Sequence, residues 1–169
     1  MMTETTSWGQ PKITLHTNKD VQKFLYSMDK EFAVKEMRKF LKRFDKYTYY
    51  FAMYHGTIAS APIFTRGILP TSNSRRRSYQ SQNGYVCLSM YPNCAKTFGE
   101  AAYPGEKIVV YEVNIPLRML KADRDQLANI RYWSGVDVGT DLATSLIYGN
   151  GARVKGKVDA NLICGRTEY

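Results

Sequence analysis

Tyr54-His55-Gly56-Thr57 follows an apolar and aromatic run, Tyr47 to Met53, and so places one of only two histidines at the mouth of a predicted buried strand. A strand that ends in a polar, glycine-containing turn leaves an imidazole and open backbone amides facing a cleft, which is where chemistry would sit. A second group able to do chemistry is Arg75, Arg76 and Arg77, in the polar stretch Thr71 to Asn83 with Tyr79 beside them. Guanidinium groups grip phosphate through paired, charge-assisted hydrogen bonds, and a loop of this length in a compact domain is functional or disordered. Cys87, Cys94 and Cys164 are an odd set with no Cys-x-x-Cys spacing and no paired histidines. They indicate neither a disulfide framework nor a zinc site, so no metal is expected and a reducing cytoplasm is the natural compartment.

The elements that must hold these groups follow from periodicity and punctuation. The start, Met1 to Gln10, is polar, and residues 1–18 read as a poorly ordered or loosely attached arm. From about Asp20 to Asp45 a helical stretch carries Val21, Phe24, Leu25, Met28 and Phe32 on one face, continued by Met37, Phe40, Leu41 and Phe44. Asn18 or Asp20 caps its start. Lys35, Arg38, Lys39, Lys42, Arg43 and Lys46 lie between the apolar positions, which makes the second half a basic amphipathic helix. Tyr47 to Tyr54 reads as a strand, Thr57 to Arg66 as a short helix or turn, Tyr85 to Ser89 as a strand, and Pro92 to Ala102 as a helix with proline in its first turn. Lys107 to Ile115 is a clear strand ended by Pro116, Asp123 to Trp133 and Asp141 to Tyr148 are short helices, and a late strand covers Val158 to Cys164 after turns at Gly149, Gly151 and Gly156.

With 169 residues the chain is most simply one domain, long enough to bury a core without a staple. The net charge of +9 raises the local concentration of polyanions and points to nucleic-acid or acidic-protein partners. No stretch approaches the ~20 apolar residues of a membrane helix and the start lacks an apolar leader, so no membrane partner is expected.

Three ordered segments carry a resemblance: Tyr54-His55-Gly56-Thr57, then Arg66-Gly67-Ile68-Leu69-Pro70, then Gly84-Tyr85-Val86-Cys87-Leu88-Ser89 followed by Cys94-Ala95-Lys96-Thr97-Phe98-Gly99. Together they resemble the ADP-ribosyltransferases of the diphtheria-toxin and poly(ADP-ribose) polymerase type, and Val110-Tyr111-Glu112-Val113 extends the likeness. The resemblance spans roughly Tyr47 to Ile115. It implies an α+β domain over residues 1–169, with a split antiparallel sheet flanked by helices, an amphipathic helical segment at 20–45 and a catalytic core at 47–169. It also implies NAD as substrate. His55 would bond the ribose, the Gly56 backbone would pair with the nicotinamide carboxamide, Thr57 would support the turn, and Ser89 would support the pocket. Phe98 matches one of two aromatics that sandwich nicotinamide. The other falls at Cys87 or Leu88, where the family usually has tyrosine, so either Tyr85 or Tyr91 supplies that face from a neighbouring position or the pocket is less aromatic than the family's. The catalytic carboxylate maps to Glu168, within Thr167-Glu168-Tyr169, or to Asp159 at the head of the late strand. Cleaving the nicotinamide–ribose bond develops positive charge on the sugar, which such a carboxylate would stabilise.

The acceptor of ADP-ribose is expected to be nucleic acid, RNA before protein, with Arg75, Arg76, Arg77, Lys39 and Arg43 as its contacts and Arg75 also near the dinucleotide. A small transferase of this kind looks like an intracellular toxin of a toxin–antitoxin or phage-defence system, with an antitoxin protein as partner. Two other readings stay open. One is an NAD-dependent RNA 2′-phosphotransferase, which shares a similar His-Gly-Thr segment and needs no glutamate. The other is a non-catalytic module that binds nucleic acid or ADP-ribose.

Overall fold

The computed structural model describes residues 4–70 and 83–169. It is a mixed α+β structure: an open, curled sheet of seven strands with six helices against it. In chain order the elements are β1 (Glu4–Thr5), β2 (Pro11–Thr14), α1 (Lys19–Leu25), α2 (Lys30–Leu41), β3 (Tyr50–Ile58), α3 (Ile63–Arg66), β4 (Tyr85–Ser89), α4 (Pro92–Ala102), β5 (Ile108–Pro116), α5 (Arg124–Ser134), α6 (Leu142–Gly149), β6 (Gly151–Lys155) and β7 (Ile163–Glu168). Among the described residues no helix is long and apolar enough to cross a membrane.

The segment expected to be a loose arm is built into the sheet. Pro11–Thr14 runs parallel to β3, pairing Lys12 with Tyr50, Ile13 with Phe51 and Thr14 with Ala52, and Leu15 is 0% exposed. Polar composition hid this strand because only Ile13 and Leu15 bring apolar surface to it. It also makes the sheet mixed, since the other strand pairs are antiparallel. The expected helix over 20–45 is two helices. Asn18 Oδ1 caps α1 through the Asp20 and Val21 amides, and Asp29 Oδ1 caps α2 through the Phe32 amide. The apolar stripe breaks at that second cap: Met28 is 99% exposed, and burial resumes at Ala33, Val34, Met37 and Phe40.

β3 is the organising strand. Along one edge it pairs with β5 over its whole length, from Tyr50 with Pro116 to Ile58 with Ile108. Along the other edge it pairs first with β2 and then, at the single pair Tyr54–Ser89, with β4. β4 is itself fully paired with β6, from Tyr85 with Lys155 to Ser89 with Gly151. Two sheet arms therefore diverge from Tyr54 and Ser89. The main core fills one side with Phe51, Met53, Tyr111, Val113 and Ile115 against α2 residues, while Tyr54, Ala95 and Val110 form a smaller cluster.

His55-Gly56-Thr57 was expected to be a turn but continues β3 to Ile58. Gly56 acts there through its missing side chain: a Cβ would lie 2.0 Å from the Ala95 carbonyl oxygen, so glycine lets α4 cross the strand. At the other end, residues 160–162 form a short 3-10 turn where strand was expected, the framing glycines enclose the unanticipated β6, and β7 runs on to Glu168.

Candidate functional site

The divergence of β3 from β4 opens a cleft. Beyond Tyr54, no described strand pairs with the β4-facing edge of β3. His55 spans the opening, with Nδ1 3.0 Å from the Cys87 carbonyl oxygen. A carbonyl only accepts, so Nδ1 carries the proton, and in the neutral ring Nε2 is the acceptor nitrogen.

Around this fork the cleft is lined by Gly56 of β3, Tyr85 and Ser89 of β4, and Phe98 of α4. Phe98 is 37% exposed. The Tyr85 ring carries the Arg153 guanidinium 4.0 Å from its centre, and the Ser89 hydroxyl donates to the Asn150 carbonyl at 3.2 Å. Ser89 thus ties the fork to the α6–β6 connection. Tyr91, the alternative aromatic face, does not line this cleft; its ring lies against the other histidine, His16. Burial lowers the pKa of His16, and its Nδ1 has no hydrogen-bond partner among the described residues.

Five of the residues singled out in the sequence, His55, Gly56, Tyr85, Ser89 and Phe98, therefore share one cavity of about 90 Å³. Others do not join them. Thr57 is buried in β3 and absent from the lining. Glu168 is exposed at the end of β7, paired with Lys107 at 3.0 Å and Arg166 at 3.2 Å; the Lys107 hydrogen bond holds its pKa below the ordinary range. Asp159 is exposed and paired with Lys157 at 3.6 Å. Neither carboxylate lines the cleft. Lys39 and Arg43 are paired with Glu36 and Asp20. Arg75, Arg76 and Arg77 lie outside the described residues.

The cleft has its own carboxylates, which the sequence reading missed. Asp123 and Asp125 reach it from the start of α5. Asp123 caps that helix, its Oδ1 accepting from the Gln126 amide at 3.1 Å, while the Ser145 hydroxyl accepts from its backbone amide at 2.9 Å. Burial pushes the Asp123 carboxyl above the usual aspartate range, against the opposing pull of the Gln126 amide, Arg153 and the Cys87 thiol. Cys87 consequently touches both groups, its carbonyl meeting His55 and its thiol meeting Asp123. Asp125 is paired with Arg153 at 3.3 Å, and Arg153 is 4% exposed with its Nε unpartnered among the described residues. The cap pattern Asp123-x-x-Gln126 was a readable signal for the helix start, but not for the cleft. Phe98, Gln126 and Asn129 carry the lining outward to Trp133, which is 83% exposed.

Chemically, the cleft offers flat aromatic walls, a stretch of β3 edge at His55 and Gly56 that no described strand pairs, an imidazole and a desolvated carboxyl. That set suits a flat ring joined to a hydroxylated group that becomes positively charged. Models of known protein families give no match to this chain, and curated proteins give no significant one.

Proposed function

We propose that the cleft binds NAD and that the protein is a mono-ADP-ribosyltransferase acting on a macromolecule, nucleic acid before protein. The observation that carries this reading is the convergence of His55, Gly56, Tyr85, Ser89 and Phe98, from two strands and a helix, on the fork between β3 and β4. Nicotinamide lies against Tyr85 and Phe98, with its carboxamide on the Gly56 backbone, and His55 Nε2 accepts from a ribose hydroxyl. The bond from the ribose anomeric carbon to the pyridinium nitrogen breaks, and nicotinamide leaves neutral with the electron pair. The cation left on the sugar is faced by Asp123, because Asp125 is already matched by Arg153. An acceptor nucleophile then bonds the anomeric carbon and releases its proton. The charge of +9 favours a polyanionic acceptor. In a cell this activity would act as a toxin and call for a neutralising partner protein.

One observation favours a second reading, removal of a 2′-phosphate from RNA with NAD as co-substrate: Glu168 and Asp159 both lie outside the cleft. Incubation with NAD labelled in its adenylate half, with RNA bearing or lacking an internal 2′-phosphate, separates the two. Free nicotinamide with label retained on macromolecules supports transfer, and phosphate loss without retained label supports the second reading. Intact NAD defeats both and leaves a binding module. His55→Ala should lower nicotinamide release by about 100-fold or more with an unchanged circular dichroism spectrum. Undiminished release would reject the assignment.

A further inference from the structure

On the surface beside the cleft lies a shallow groove lined by Lys46, Tyr47, Arg118, Lys121 and Lys155. Among the described residues no acidic one lines it. Among the described residues, none of its four cations forms an ion pair. That sets it apart from the basic helix α2 and the turn that follows it, where Lys39 is matched by Glu36, Arg43 by Asp20 and Arg38 by Asp141. The walls are fixed by main-chain bonds. The Arg118 amide donates to the Lys46 carbonyl at 3.0 Å, and Lys121 and Arg153 exchange two hydrogen bonds of 2.9 Å. Tyr47 is 68% exposed, with the Lys46 ammonium 5.5 Å from its ring centre.

The geometry points to this groove as the binding track for the phosphate backbone of a single-stranded RNA, with an unpaired base stacked on Tyr47. Four unmatched cations on a fixed frame complement a chain of phosphates, and an exposed ring next to them is the stacking platform that single-strand binding uses. The track adjoins the cleft through two shared segments. Lys155 is the strand partner of Tyr85, a cleft residue, and Lys121 precedes cleft-lining Asp123 by two residues, about 7 Å of chain at most. This inference rests on the proposed transfer reaction for its purpose, since the strand would be the acceptor, but the binding itself requires no NAD.

Fluorescence anisotropy with a labelled single-stranded RNA 12-mer, over a salt series and without NAD, tests it. Lys121→Gln with Lys155→Gln should weaken binding about tenfold near 0.1 M salt and lower the slope of log K against log salt by about 1.4. Lys46→Gln with Arg118→Gln should do the same from the other wall. Lys39→Gln with Arg43→Gln removes equal charge from α2 and the turn after it and should leave both quantities nearly unchanged. Tyr47→Ala should weaken binding by about tenfold with the salt slope preserved. Four results would overturn the inference: no binding by the unaltered protein, equal losses from the Lys39 and Arg43 pair, equal affinity for a duplex of the same sequence, or equal affinity for polyglutamate. Nicotinamide release by the groove variants in the absence of RNA should match the unaltered protein, so a failure of the track stays distinct from a failure of the donor site.

Discussion

Asp123 does structural and electrostatic work at the same position. It caps α5, sits in the cleft and meets the Cys87 thiol, and burial makes its charged form costly. Its folded pKa is raised above the unfolded value, so the folded state binds this proton more tightly. Stability therefore falls as pH rises from about 3.9 through the higher folded value. Asp123→Asn keeps the cap, because asparagine serves as well as aspartate there, and removes the titration. Urea unfolding midpoints from pH 4 to pH 7 should show a flatter profile for the variant. Nicotinamide release should fall by about 100-fold at neutral pH and lose the rising acid limb caused by ionisation of Asp123. A variant that keeps both the rate and the limb would remove Asp123 from the chemistry and leave it a cap.

Between elements, the decisive contact is the crossing of α4 over β3 at Gly56. The neighbouring atoms there are backbone: Ala95 oxygen and carbon at 2.0 and 2.8 Å from an ideal Cβ, and Gly99 nitrogen at 3.4 Å. Backbone cannot swing aside as a side chain can, so Gly56→Ala must lift the helix. It should cost about 1–3 kcal/mol in urea unfolding and raise the KM for NAD through displacement of Phe98; unaltered values for both would mean the crossing is not tight. This crossing also explains what could and could not be read from the sequence. From sequence alone a glycine after a strand reads as its end, because the local signal for a turn and for close helix approach is the same residue. β4, α4, β5, α5 and α6 were legible to within a residue or two, because proline, caps and alternation mark them locally. Asp123 and Asp125 were not legible as site residues. They reach the cleft only through the long-range bridge between Lys121 and Arg153 and the packing of α5 against α6.

For the molecule as a whole, the first strands and first helices behave as part of the frame that holds the fork open. β2 and β4 occupy successive stretches of one edge of β3, and α1 and α2 form the crossover that carries the chain from β2 to the parallel β3. Leu15, at the end of β2, is wholly buried with Val21, Phe24 and Met37 in the main core. Leu15→Ala should cost about 2–5 kcal/mol, a loss that a loosely attached arm could not produce. Deleting residues 1–18 is the sharper test. It would bare the main-chain groups of β3 that β2 now pairs, from Tyr50 to Ala52, and an unpaired edge of that kind recruits other chains. The truncated protein should unfold at lower urea and elute partly as larger species in size-exclusion chromatography. It should also release nicotinamide more slowly, because β3 carries both the pairing with β2 and His55. A truncated protein that stays monomeric with an unchanged midpoint would show that β3 and β4 hold the fork without the preceding strands, and that the sheet's first edge has no part in shaping the site.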